Sequence, residues 1–370
     1  FEVSDIRVAV FDQDRAVRGV EGPTTETGEQ LGNGWVEVLQ GVSFAVDEGE
    51  VLALIGESAS GKSLALMAGF GLLAPGARVI GGTVRYRGHE YKPGGKPPEE
   101  GKRRTRKEKR KLRTMGTVAG DFGDDAWAEL VGTDIGFMFQ NPIGSWTPVY
   151  QIGEQAGEGL DYHSDLSQEE IEERVFDALG EVKLPKSRRL FGAYSVELSR
   201  GMAQRAMLAA ALTKAPHLLI ADEPLNGLDA SVGAAIMNLI RDMQKKRNMA
   251  MVVVTHDLAA VASIADRVAV LYGGEIIEEA PVSEIYHRPK HPYTAGLIGS
   301  IPGARSRRLA PIPGEAPPLV EIDHGRCVFL DRCEHATAQC RERKPDVETV
   351  DGSNVACLHA SELSLPGVNS

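Results

Sequence analysis

Eight consecutive residues, Gly56-Glu57-Ser58-Ala59-Ser60-Gly61-Lys62-Ser63, constrain this chain more than any other stretch of it. They follow the apolar, strand-type run Glu50–Ile55 and lead into the helix-like segment Ser63–Leu73. The pattern is G-x-x-x-x-G-K-[ST], placed after a strand and at the head of a helix, where its mechanism needs it. Glycines at both ends let the backbone curl so that successive N–H groups point inward. Those donors, with the positive end of the following helix, hold the β- and γ-phosphates of a nucleotide. Lys62 adds a point charge, and the Ser63 hydroxyl is placed to ligate Mg²⁺.

A second component lies about 160 residues downstream, in Leu218-Leu219-Ile220-Ala221-Asp222-Glu223. An apolar strand ending in two acids is a weak signal alone, because acids often end strands. Paired with a phosphate cradle it suits nucleotide hydrolysis. Asp222 would hold Mg²⁺ through its water shell, and Glu223 would orient and polarise the attacking water.

Composition narrows the remaining classes. The 370 residues carry 41 Lys plus Arg against 52 Asp plus Glu, a net charge of -11, which argues against a general nucleic-acid binder. With 42% hydrophobic residues the chain can bury a core. Its length suggests two or three domains. No run reaches the ~18 apolar residues needed to cross a bilayer, and there is no secretory signal pattern. The four cysteines, Cys327, Cys333, Cys340 and Cys357, all lie near the end, unlike the dispersed frameworks of disulfide-rich secreted scaffolds.

Along the chain, Val3–Phe11 reads as a strand and Asp12–Gly34 as a loop or insertion. Trp35–Val46 reads as a second strand region with a turn near Gly41. Within Lys102–Arg113 nine of twelve positions are basic. Such a run reads as a solvated loop, with contact to anionic lipid as the sharper alternative. Gln151–Leu198 is mostly helical in pattern, with Ser167 and Glu170 forming a capping box for a helix running to Leu179. Arg200–Ala211 and Ser231–Lys245 read as helices and Ala250–Thr255 as a strand. Val268–Leu271 and Glu275–Glu278 read as short strands around Gly273-Gly274. After about Ile285 the composition shifts to Pro, Gly, Arg and Cys, and a domain boundary is placed there.

Between the cradle and the two acids lies Leu198-Ser199-Arg200-Gly201-Met202-Ala203-Gln204-Arg205, which resembles the signature motif of ABC ATPases. Phe139-Gln140-Asn141-Pro142 resembles that family's Q-loop, Gly227-Leu228-Asp229 its D-loop, and Thr255-His256-Asp257 its switch histidine. These motifs, in the family's order, make the resemblance specific over roughly residues 1–285. The tail segments His291-Pro292-Tyr293-Thr294, Ser300-Ile301-Pro302-Gly303 and Ile312-Pro313-Gly314, followed by the cysteines, resemble the C-terminal extension of the oligopeptide and dipeptide importer ATPases.

This resemblance implies an α/β chain with the ABC ATPase fold. A RecA-like core with an antiparallel β subdomain and a helical subdomain (about 141–204) would occupy residues 1–285. Insertions would fall at about 12–34 and 93–130, and a small cysteine-containing extension would occupy 286–370. It implies a transport-coupled ATPase that drives peptide uptake from the cytoplasmic face of a bacterial inner membrane. Its partners would be a second, different ATPase subunit, two membrane-spanning permeases and an extracytoplasmic solute-binding protein. A sugar as solute, or a soluble ABC ATPase acting on nucleic acid or the ribosome, are the rival readings. The last is disfavoured by the absence of a second cassette.

Residue by residue, ATP would sit against Gly56, Ser58, Ala59, Ser60, Gly61, Lys62, Ser63 and Leu64. Ser63, Gln140 and Asp222 would hold Mg²⁺, and His256 would contact the γ-phosphate. Phe11 would stack on adenine, with Trp35 as its competitor. In the family two cassettes bind head to tail, so Ser199 and Gly201 would serve the partner's nucleotide, and Asp229 would lie at the cassette–cassette interface. Arg200 departs from the family's glycine and would impair or alter the site that uses this signature.

The cysteine spacing, C-x5-C-x6-C-x16-C, lacks the paired short spacings common in structural zinc sites. Four thiolates suit an iron–sulfur cubane, and the family resemblance implies a [4Fe-4S] cluster. Zinc, with His335 or His359 as substitutes, is the alternative.

Overall fold

The computed structural model describes residues 1–92, 125–301 and 312–368. The basic run Lys102–Arg113, most of the 93–130 insertion and the Pro302-Gly303 pair lie outside them. In chain order the strands are β1 (Glu2–Phe11), β2 (Trp35–Ala45), β3 (Val51–Ile55), β4 (Ala77–Tyr86), β5 (His89–Tyr91) and β6 (Ile135–Met138). Then follow β7 (Leu218–Asp222), β8 (Ala250–Thr255), β9 (Arg267–Tyr272), β10 (Glu275–Pro281), β11 (Glu348–Val350) and β12 (Ser353–Val355). The described residues group into two compact units, one of residues 1–45, 52–92 and those from 256 onward, the other of residues 46–51 and 125–255.

The first unit contains an antiparallel sheet in the order β2-β1-β4-β5. The turn expected near Gly41 is instead an irregularity within a continuous β2, where Gly41 has φ +73° and Asp5 opposite has φ +53°. The strand survives because the Asp5 N–H donates to the Ser43 hydroxyl across the slipped register. The Asp12–Gly34 stretch also holds more structure than its composition suggests. Asp12 caps a five-residue helix, Gln13–Val17, and Leu31 is buried with Ala9 and Ile80 under Trp35. A helix that short, with no buried residue of its own, leaves no periodic trace.

The same unit holds β11-β12-β10-β9-β3. β3 runs parallel to β9 with all five residues buried, which accounts for its unbroken apolar run. β9 and β10 form the hairpin expected around Gly273-Gly274. The tail adds β12, which pairs with β10 through Glu278↔Val355, and so belongs to the same compact unit.

In the second unit β8-β7-β6 is wholly parallel and fully apolar along β7 and β8 up to their polar ends. The helices Ile152–His163, Gln168–Glu181 and Arg200–Leu212 pack on one another. Ser167 and Glu170 form the capping box expected of them.

Candidate functional site

In the first unit the chain leaves β3 at Gly56, whose φ is +154°. A Cβ there would stand 2.3 Å from the Leu271 carbonyl oxygen and 2.8 Å from Ser60 Oγ. Only glycine lets the loop turn so close beneath β9. Ala59 is left-handed (φ +64°), and Gly61 (φ +104°) caps the helix Lys62–Gly69 from its N-terminus. The helix therefore presents its first N–H groups toward the curled loop. Lys62 is buried, and its ammonium donates to the carbonyls of Gly56 (2.9 Å) and Glu57 (2.8 Å) and, at 3.5 Å, to Ser60 Oγ. The eight-residue segment thus curls on itself and is closed by its own cation.

Three further residues hold this loop, and they leave little local sign in the sequence. The Gly274 N–H donates to the Ser60 carbonyl (3.0 Å), from a glycine at φ +80° whose Cβ would fall 1.9 Å from the Val38 carbonyl oxygen. The Glu57 N–H donates to the Tyr293 hydroxyl at 2.8 Å. Arg332 forms a bidentate pair with the Glu57 carboxylate. Gly273-Gly274 was legible as a turn and His291-Pro292-Tyr293 as a tail motif, but neither pattern reveals its contact with a loop more than 200 residues away.

Phe11 ends β1 49% exposed, directly opposite Trp35 in the β1–β2 register, with ring centroids 5.9 Å apart. Trp35 is packed over the Ala9–Leu31–Ile80 cluster. Of the two, Phe11 offers its ring to solvent. His256, also grouped with this unit, follows β8 and is exposed.

The second unit carries the rest. Asp222 and Glu223 end β7 and are buried. Glu223 has φ +47°, its N–H donates to the Val254 carbonyl at 2.8 Å, and the Thr255 hydroxyl lies 3.5 Å from its carboxylate. A left-handed glutamate fixed by the neighbouring strand is a strained position at a strand end. Gln140 is exposed just past β6. Ser199 caps the helix Arg200–Leu212, accepting the Met202 N–H. Arg200 turns onto the next loop, where Nη1 donates to the Gly227 carbonyl at 3.2 Å. Gly201 has Val232 Cγ1 3.2 Å from where a Cβ would sit. Asp229 caps the helix Ala230–Arg247, accepting from the Ser231 and Val232 N–H groups and from the Ser231 hydroxyl. The Ser231 hydroxyl, then these amides, hold its carboxyl below the usual range.

The four cysteines line one cavity in the first unit, with His291, Phe329, His335 and His359. Burial pushes the Cys327 thiol up to about 12 and the Cys357 thiol up to about 11, with neighbouring cysteines adding like-charge repulsion. Thiolates are the donors that an iron–sulfur or zinc centre uses, and a bound metal's positive charge would reverse this unfavourable ionisation. Among the described residues, however, no group of three or more His, Cys, Asp or Glu is placed to hold a metal ion.

Residues 39–226 match the family model described as ABC transporter, and residues 277–340 match that described as oligopeptide/dipeptide transporter, C-terminal region. A Brucella ovis protein named for ATP binding in peptide import is 38% identical, over 89% of this chain and 93% of its own length. The oligopeptide transport ATP-binding protein OppD of Lactococcus lactis subsp. cremoris is 37% identical, over 80% of each chain. The dipeptide transport ATP-binding protein DppD of Escherichia coli is 34% identical, over 85% of this chain and 89% of its own. Among solved structures, the ATP-binding cassette MJ0796 in a dimeric post-hydrolysis state bound to ADP and Pi superposes with a TM-score of 0.54. At 24% identity, covering 74% of this chain and 98% of that one, it shows that the two share a fold, that of the ABC ATPases. The chain belongs to the oligopeptide/dipeptide family of ABC transporter ATP-binding proteins.

Proposed function

We propose that this chain is the ATP-hydrolysing motor subunit of an ABC importer for peptides. One observation carries the reading: a curled Gly56–Ser63 loop closed by Lys62 stands in a chain that matches peptide-transport ATP-binding proteins over most of its length. The cradle's amides and Lys62 receive the β- and γ-phosphates, and Phe11 stacks on adenine. Glu223 orients and polarises the attacking water, and His256 contacts the γ-phosphate. This is positioning and charge stabilisation, not covalent catalysis. Ser63, Gln140 and Asp222 would hold Mg²⁺, which neutralises phosphate charge. Ser199 and Gly201 serve the nucleotide of a second cassette, and Asp229 lies at that interface.

Because Arg200 stands where the family uses glycine, the site that borrows this signature is impaired or altered, while the site built on this chain's own cradle hydrolyses. The partner cassette is therefore a different chain. Two permeases supply the membrane spans, and a solute-binding protein delivers the peptide. No helix among the described residues is long and apolar enough to cross a membrane, which suits a peripheral subunit on the cytoplasmic face. Cys327, Cys333, Cys340 and Cys357 would hold a [4Fe-4S] cluster that staples the tail.

The test is Glu223→Gln in the assembled transporter. The expected result is an ATPase rate about 10²-fold lower or less, with ATP still bound. An unchanged rate would reject the assignment.

A further inference from the structure

Arg332 sits in the single turn Leu330–Arg332, directly before Cys333, and only 8% of its surface is exposed. All of its guanidinium nitrogens are engaged. Nη1 and Nη2 donate to the two carboxylate oxygens of Glu57 at 2.6 and 3.0 Å. Nε donates to the Pro313 carbonyl (2.8 Å) and Nη2 also to the Gly314 carbonyl (3.2 Å). The planar head lies 5.7 Å from the Tyr272 ring centroid. Tyr272 in turn packs with Tyr293 and Phe329 at 4.6 and 5.2 Å, and Phe329 lines the cysteine cavity. The Ile312-Pro313-Gly314 motif thus has a physical use, since two of its carbonyls orient the arginine.

Glu57 is an awkward residue for an anion cradle. It follows Gly56 directly, and its carbonyl accepts from both Lys62 Nζ and the Ser60 N–H, so its backbone shapes the loop. Its negative side chain would repel a triphosphate unless a cation cancels it. A bidentate guanidinium does that and fixes the plane of the carboxylate as well. The Tyr293 hydroxyl meanwhile takes the Glu57 N–H. Backbone and side chain of this one loop residue are both held by groups from beyond residue 290.

We propose that Arg332 is a positioning residue for the phosphate loop, through which the cysteine-lined tail sets nucleotide affinity. It neutralises and anchors Glu57 so that the loop's amides stay aligned for phosphate. The proposal rests on the reading of Gly56–Ser63 as a nucleotide cradle. It also gives the tail a task at the ATP site, because Cys327 and Cys333 bracket the turn that carries Arg332.

The experiment is calorimetric binding of Mg-ATP to the full chain for native protein, Arg332→Gln, Glu57→Gln, the double variant and Lys62→Ala. Arg332→Gln leaves the Glu57 charge unpaired and should weaken binding about tenfold. Removing that charge as well, in the double variant, should restore affinity to within about threefold of native. A merely structural arginine gives no such rescue. Arg332→Lys, which keeps the charge but not the fork, should fall between and serves if the glutamine variant does not fold. The proposal is overturned if Lys62→Ala abolishes binding while Arg332→Gln and Arg332→Lys bind as native protein does. It is equally overturned if the double variant is weaker than either single one. If Lys62→Ala also binds as native protein does, the cradle reading itself fails, and this proposal with it.

Discussion

At the scale of single residues, the phosphate loop depends on what surrounds it as much as on its own motif. Gly274 shows this most directly. It gives its N–H to Ser60, takes the Gln40 N–H on its carbonyl, and has no room for a side chain beside the Val38 carbonyl. Its left-handed φ of +80° adds strain for any other residue. Gly274→Ala is therefore expected to destabilise the protein by more than about 2 kcal/mol, and to weaken ATP binding by moving Ser60. Urea unfolding followed by fluorescence checks the first effect and calorimetry the second. A variant as stable as native protein would mean that the β9–β10 turn yields freely. Nothing in the sequence distinguishes Gly274 from Gly273 beside it; the difference is which backbone lies opposite. By contrast, the curled loop from Gly56 to Ser63 was legible at once, because the glycines and lysine that shape it lie within eight adjacent residues.

At the scale of elements, local signals held where they were long or chemically specific. The helix Gln168–Glu181 was readable from Ser167 and Glu170. The Ser167 hydroxyl accepts the Glu170 N–H, and the Glu170 carboxylate accepts the Ser167 N–H (2.7 Å) and hydroxyl (2.9 Å). These bonds, the Ser167 N–H first, hold the Glu170 carboxyl below its usual range. A depressed carboxyl contributes stability above its unfolded pKa, and that contribution is lost as pH falls through the folded value. Ser167→Ala should cost about 1 kcal/mol at neutral pH. The gap between native and variant should narrow below about pH 4, the ordinary glutamate range. Denaturant titrations at neutral and acid pH test this; a gap that widens on acidification would contradict it. Short elements were not legible. Gln13–Val17, β11 and β12 span three to five residues each, too few for periodicity to show.

At the scale of the whole molecule, the tail is the informative part. Composition marked residues beyond about 285 as different, and a boundary was drawn there. The structure assigns them to the same compact unit as the cradle, through β12 on β10, Tyr293 on Glu57 and the buried carboxylate of Glu278, which accepts the Lys290 and His291 N–H groups. The tail's own core is small, and a metal centre would supply the cross-link it needs. Anaerobically purified protein should be brown, absorb near about 400 nm and contain iron and acid-labile sulfide. Removing the iron with a chelator should lower the melting temperature. Colourless protein carrying zinc would replace the cluster with a zinc site.

What could be read from the chain alone is what neighbours in it build together: the curled Gly56–Ser63 loop after β3, the two acids at the end of β7 and the capped helices. Each arises from residues a few positions apart, where spacing and side-chain type already fix the geometry. How that loop is held emerges only from the folded chain. Gly274, Tyr293 and Arg332 reach it from far along the chain, Arg332 from 275 positions beyond Glu57. The folded chain also decides that Arg200 turns onto the Gly227 carbonyl and that the cysteines share one cavity. A long-range contact leaves no periodic or local trace, because it depends on where two segments are brought by the packing of everything between them.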